Sequence, residues 1–280
     1  MILMENTDWS SVKNSASAPY INRTLLPIGS HAERYYNPPN LHPSLPNYLW
    51  LEAGTNFGIL DGNPPAQNHQ STSSHLVNLL EAAGISWKAY QEDEGAGAFD
   101  GTACPFTHEG NFYDVNHNPF VYFDDVTGNM NPSAPRCLQH VRPYSEFLTD
   151  LGNNTVARYN FITPHLCHDM HNTCAPLNDR VLQGDRWLST EVPKILASQA
   201  YRNNGVLFIT WDEGASSAGC CGNASGGQVA SLVIAPNSIV GLRSITNETH
   251  YSLLRTIEDA WGLAPLGQAA NAVAMREYFH

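Results

Sequence analysis

Ser44 stands between two prolines in the run His42-Pro43-Ser44-Leu45-Pro46-Asn47-Tyr48, with the side-chain amide of Asn47 three residues on. The run leads into a helix-like stretch at residues 48–53, so Ser44 is expected at a helix N-terminus. Free backbone N–H groups and the helix dipole favour an anion there. Proline on both sides restricts the backbone and fixes where the hydroxyl points. A serine held this way could attack a phosphate or a similar tetrahedral oxyanion. The same heptapeptide also describes an ordinary proline-rich turn that caps a helix.

Other polar groups could bind a cation or move protons. Glu5, Asp212 and Glu213 offer hard oxygen ligands for a divalent ion, and Asn6 adds a neutral oxygen. Read singly, Asp212-Glu213 is also a solvated acidic turn and Glu5-Asn6 a polar strand end. His165, His168, Asp169 and His171 crowd into one short stretch, dense enough for a metal site or a proton shuttle. His117, followed by Asn118-Pro119, and His140 read first as loop-fixing residues and second as site residues.

Positioning these groups requires a sheet. Apolar runs at 2–4, 85–90, 158–163, 205–211 and 229–235 read as strands. Residues 73–84, 185–197 and 251–261 read as helices, the first with a serine cap and a closing glycine. Strands alternating with helices predict a mostly parallel sheet covered on both faces. Glu5-Asn6, residues 163–171 and Asp212-Glu213 each follow a strand, and in such a sheet those ends converge on one crevice. Residues 91–137 and 212–227 are long irregular stretches, of the kind that are functional or insertional. The chain is expected to form a single domain over 1–280, with the insertion at about 91–137.

A net charge of -12 argues against a nucleic-acid partner, which would call for basic patches. No apolar run approaches the length of a membrane span. The cysteines pair by proximity as Cys104-Cys137, Cys167-Cys174 and adjacent Cys220-Cys221, none with zinc-type spacing. Their even count in loop-rich segments favours disulfides and an oxidising compartment. Sequons at Asn22, Asn153, Asn223 and Asn247 are compatible with secretion. Residues 1–4 are too short for the apolar core of a signal peptide. The expectation is an extracellular or periplasmic protein whose targeting segment lies outside this chain.

The ordered set Met4-Glu5-Asn6, the Ser44 heptapeptide, His117-Asn118-Pro119-Phe120-Val121-Tyr122-Phe123, Phe208-Ile209-Thr210-Trp211-Asp212-Glu213-Gly214 and Thr249-His250-Tyr251-Ser252-Leu253-Leu254-Arg255-Thr256-Ile257-Glu258-Asp259 resembles the phosphoesterase family. That family contains acid phosphatases and bacterial phospholipases C, within the alkaline phosphatase-like superfamily. The resemblance covers nearly the whole chain and implies a three-layer αβα sandwich with a mostly parallel central sheet.

It further implies that Ser44 is the nucleophile and that Asn47 hydrogen-bonds a phosphoryl oxygen. Glu5, Asn6, Asp212 and Glu213 would hold one divalent ion, calcium, magnesium, manganese or zinc, together with Ser44. Two-metal members of the superfamily carry Asp-His where this chain has Asp212-Glu213. They also carry a histidine near a Gly-Gly pair, where this chain has Gly226-Gly227-Gln228. Both departures favour a single ion. A histidine would then protonate the leaving group: His171 or His168, with His42 and His250 behind them. His42, Asp169, His250 and His117 are the expected substrate or supporting contacts.

The function implied is phosphoester hydrolysis of the acid phosphatase type on a small substrate. A phospholipase C or other phosphodiesterase is the alternative, for which Phe106, Phe112, Tyr113 and Phe120 could supply an apolar approach. A non-catalytic binding protein on the same fold is the third reading. A sulfatase is disfavoured, because no Cys-x-Pro-x-Arg motif surrounds Ser44.

Overall fold

The computed structural model describes residues 1–38, 43–107, 112–215 and 227–280. Its strands in chain order are β1 (Ile2–Met4), β2 (Ser30–Ala32), β3 (Tyr35–Tyr36), β4 (Trp87–Gln91), β5 (Val141–Pro143), β6 (Tyr159–Thr163), β7 (Leu207–Trp211), β8 (Gln228–Val229), β9 (Ser231–Ile234), β10 (Arg243–Ser244) and β11 (Glu248–Thr249). The main sheet runs in the spatial order β10-β2-β9-β7-β1-β6-β4-β5, and β11-β3-β8 form a small second sheet. At its centre, β1 pairs in parallel with both β6 and β7. Every residue of β1 and β7 is buried, as fits apolar strands covered on both faces.

One part of the expected order is corrected. The run 229–235 splits at Ala230 into β8 and β9, and β9 lies antiparallel to both β2 and β7. A parallel return needs a crossover of a dozen or more residues, usually a helix, and no helix is described between β7 and β9. The remaining pairs of the main sheet are parallel. The short edge strand β5 ends in Pro143, a residue that edge positions tolerate.

Helices flank the sheet and complete the three-layer αβα arrangement. Leu45–Ala53 is buried along its whole length and stops at Gly54, which adopts φ 66°. A Cβ there would lie 2.3 Å from the carbonyl of Leu266, so the stop signal is also a close-packing requirement. His250–Trp261 starts in a capping box formed by Thr249 and Ser252, and its Tyr251 ring meets Trp50 edge-on.

The helix expected at 185–197 begins earlier, at Arg180, because Asp179 caps it by accepting from the Leu182 amide. Its Trp187 packs on Tyr144 of the Tyr144–Asn153 helix. The stretch 91–137 is not uniformly irregular: it contains the short helical turns Val115–His117, Pro119–Tyr122, Asp124–Thr127 and the start of Pro135–His140. Disulfides join Cys104 to Cys137 and Cys167 to Cys174, while Cys220-Cys221 lies outside the described residues. No described helix is long and apolar enough to cross a membrane.

Candidate active site

Because β1, β6 and β7 run parallel, their C-terminal ends deliver Glu5-Asn6, the loop after Thr163, and Asp212-Glu213 to one place. Backbone bonds lock the three together: Glu5 N–H to Asp169 O at 2.7 Å, Asp212 N–H to Met4 O at 2.9 Å, and Thr7 N–H to Glu213 O at 3.2 Å.

Ser44 caps the Leu45–Ala53 helix by position, but its side chain makes no capping bond. Instead its hydroxyl donates to Glu5 Oε2 at 3.0 Å. One turn further, Tyr48 donates to Glu5 Oε1 at 2.6 Å, and Asn47 Nδ2 donates to Glu213 Oε2 at 3.0 Å. Residues three and four apart share a helix face, which is how one helix presents Ser44, Asn47 and Tyr48 to the sheet edge. Tyr48 had no role in the sequence reading, although its spacing from Ser44 carried the signal.

His117 stacks on Tyr48, with ring centroids 5.3 Å apart. Its Nε2 lies 3.3 Å from Glu5 Oε1 and its Nδ1 3.5 Å from Asp169 Oδ2. His171 comes beside it, ring to ring at 5.7 Å, through a loop in which the His171 amide donates to Asp169 Oδ1 at 2.8 Å. Glu5, His117 and His171 each offer a ligand atom within 4.8 Å of the others. His117, ranked as loop-fixing from sequence, therefore sits inside the cluster.

His250 is placed behind the cluster. One ring nitrogen bonds the Asp212 carbonyl and the other lies 3.0 Å from the Tyr35 hydroxyl. Burial lowers its pKa to about 4, so it supports the Asp212-Glu213 turn as a neutral ring.

His168 points elsewhere. Its Nδ1 meets Glu92 Oε2 at 3.0 Å, and it stacks on His165 at 3.7 Å. Glu92 also accepts from the His165 amide and from the Trp187 indole, each at 3.0 Å. Glu92, His165 and His168 form a second group with metal-like spacing. However, His165 Nδ1 accepts from the Cys167 amide at 3.1 Å. In the neutral ring the proton then sits on Nε2, which leaves no lone pair there for an ion. His42 lies outside the described residues.

The electrostatics of the Ser44 cluster call for a cation. Burial, then Asp212 and Asp169, raise the pKa of Glu5 well above the usual carboxylate range, although Tyr48 pulls it down. Burial pushes Asp212 up to about 7 against the pull of His117 and the Asn6 amide. Burial and Asp212 push Glu213 up to about 9, eased by Asn47. The His117 ring is raised: burial opposes its charge, but Asp169, Asp114 and Asp212 outweigh it. Among the described residues, Asp212 Oδ2 and Asn47 Oδ1 are buried without a hydrogen-bond partner, and Asp169 Oδ2 meets the His117 ring at 3.5 Å. Crowded acids with spare oxygens fit a hard divalent cation.

The description of the phosphoesterase family matches residues 30–264. The chain belongs to the phosphoesterase family. A probable acid phosphatase of Kluyveromyces lactis is 26% identical over 96% of this phosphoesterase chain and 59% of its own length. A phosphatidylinositol-3-phosphatase of Mycobacterium tuberculosis is 28% identical over 97% of the chain and 79% of its own. The chain spans about half the length of the fungal acid phosphatases it matches. An alkaline phosphatase superfamily protein from Vibrio parahaemolyticus shares the fold with TM-score 0.59 at 11% identity, over 99% of this chain and 70% of that one.

Tyr48 yields a test specific to this phosphoesterase. Tyr48→Phe removes the donor to Glu5 while keeping the ring on His117. Divalent-ion affinity, measured by isothermal titration calorimetry, is expected to fall by about 10-fold or more, the usual cost of losing a group that orients a ligand. Unchanged affinity would mean that the Tyr48 bond does not prepare Glu5 for a cation.

Proposed function

We propose that the chain is a metal-dependent phosphoester hydrolase of the acid phosphatase type, acting through Ser44. The observation that carries this is the Ser44 hydroxyl, released from helix capping and bonded at 3.0 Å to Glu5 within a buried carboxylate cluster. The names of the relatives, acid phosphatases and a phosphatidylinositol-3-phosphatase, support a phosphomonoester substrate. We read residues 1–280 as one catalytic domain. The two disulfides support an extracellular or periplasmic location.

Glu5, Asn6, Asp212 and Glu213, with Ser44, are assigned as the ligands of one divalent ion. His117 is kept outside that set because its ring nitrogens already face Glu5 Oε1 at 3.3 Å and Asp169 Oδ2 at 3.5 Å. When bound, such an ion lowers the pKa of a coordinated hydroxyl and offsets charge on the phosphoryl oxygens.

Ser44 attacks phosphorus in line as its proton passes to Glu5, and the ester P–O bond breaks. The Asn47 amide, which also bonds Glu213 at 3.0 Å, serves as donor to a phosphoryl oxygen. His171 protonates the departing alkoxide, and a phosphoseryl intermediate is left. Water then attacks phosphorus with His171 as base, the Ser44 Oγ–P bond breaks as the proton held by Glu5 returns to Ser44, and inorganic phosphate is released. His171 is preferred over His168 because it stands beside His117, whereas His168 is bound to Glu92.

The diesterase reading is weaker. Of the four aromatics that could form a lipid approach, Tyr113 and Phe120 are core residues and Phe106 and Phe112 are half-buried. Turnover of p-nitrophenyl phosphate, lost on chelation and restored by a divalent ion, is the expected result. Slower turnover of bis(p-nitrophenyl) phosphate and of phosphatidylcholine would place the monoester first. Full activity in chelator, or none toward any phosphoester, would sink the proposal.

A further inference from the structure

Arg180 opens the Arg180–Leu196 helix, and one of its terminal nitrogens, Nη1, bonds two carbonyls. It donates to Asn6 O at 2.7 Å and to Met170 O at 3.1 Å. Asn6 and Met170 are non-glycine residues at φ 41° and 79°, in a region that L side chains seldom adopt. Asn6 belongs to the turn that carries Glu5, and Met170 immediately precedes His171. Carbonyls turned out of regular structure in this way need an outside donor. A guanidinium nitrogen supplies two hydrogens in fixed, coplanar directions, which a lysine ammonium does not.

The same helix end fits the histidine loop closely. Gln183 donates to Cys167 O at 2.8 Å and Asn172 O at 3.1 Å, and accepts from the Cys174 amide at 2.9 Å. A Cβ on Gly184 would stand 2.4 Å from the Met170 side chain, so the helix lies directly against that turn.

We propose that Arg180 is a positioning residue that couples the carboxylate turn at Glu5-Asn6 to the loop bearing His171. It fixes the separation between the nucleophile's side of the site and its acid. This coupling rests on the phosphoesterase reading for its effect on rate, but not for its effect on structure.

The test compares Arg180→Ala and Arg180→Lys with the intact chain by hydrogen exchange and by kinetics. In Arg180→Ala, amides in segments 4–8 and 165–172 are expected to exchange about 10-fold faster together, while β7 and β9 keep their protection. On p-nitrophenyl phosphate, kcat is expected to fall about 10- to 100-fold, the scale of a 1 Å misplacement, with KM changed by less than about threefold. Added guanidinium ion should restore part of kcat, which a general packing defect would not allow. Arg180→Lys should lie between the two, and it carries the test if the alanine variant does not fold.

Unchanged exchange in both segments, or faster exchange in only one, would overturn the coupling. Wild-type exchange and full kcat in Arg180→Lys would overturn the two-carbonyl clamp, since charge alone would suffice. If the intact chain hydrolyses no phosphoester, the functional reading fails, and the exchange arm still decides the coupling.

Discussion

Ser44→Ala is expected to leave a folded chain whose turnover of p-nitrophenyl phosphate is lower by at least about 1,000-fold, as when a covalent nucleophile is removed. The hydroxyl bonds Glu5 and also interacts with Asp212, both within the carboxylate cluster, and it does not cap its helix. Stability should therefore change little, with Tm within about 4 °C of the intact chain, equivalent to roughly 1 kcal/mol in a large domain. Acid quenching during turnover with radiolabelled phosphoester should trap phosphate on the intact chain and none on the variant. Residual activity near a tenth of wild type with a normal Tm would remove Ser44 from the chemistry and leave the carboxylate cluster as a binding site only.

The second large effect concerns pH and the ion together. In the metal-free chain, burial raises the pKa of Glu5 well above its ordinary value, that of Asp212 to about 7 and that of Glu213 to about 9. The unfolded chain releases these protons near the ordinary carboxylate pKa of about 4. Between about pH 4 and 9 the folded state thus binds more protons than the unfolded state, and stability falls as pH rises. Each pKa unit corresponds to about 1.4 kcal/mol, so Tm of the metal-free chain should drop by several degrees between about pH 5 and 8. A bound divalent ion reverses the sign, because it favours the ionised carboxylates. Its affinity should rise with pH, and binding should release protons. Calorimetry in buffers of different ionisation enthalpy counts those protons, and thermal scans with and without chelator give the two slopes. A flat Tm profile in chelator would mean that these acids are solvated in solution.

Much of this was legible in the chain. The apolar runs that became β1, β6 and β7 were plain, and a parallel sheet brings the groups that follow them to one edge by geometry alone. Glu5 and Asp212 could therefore be placed together although far apart in sequence. The Ser44 turn marked the correct helix end. The direction of β9 was hidden because a short apolar run carries no sign of orientation, and its connection lies in a stretch without helical periodicity.

The split between His168 and His171 was hidden for a related reason. Loop residues obey no repeat, and the left-handed turn at Met170 sends neighbouring imidazoles to different sites. Arg180 was illegible because its partners are backbone carbonyls, which leave no trace in residue type. The earlier helix start followed from Asp179, a cap placed before a stretch too polar to look like the beginning of a buried helix.

The crowding of carboxylates beside Ser44 also orders events in time. Where the cluster has lost its protons, an anionic ester reaching this edge ahead of a cation meets like charge at close range, so under the proposed mechanism productive encounters begin with the cation already in place. The remainder of the molecule adds to that field, since the chain as a whole carries a net charge of -12. For the proposed anionic ester, a field of that sign would slow approach rather than steer it. Ionic strength that screens the repulsion speeds capture, the reverse of its effect where enzyme and substrate attract.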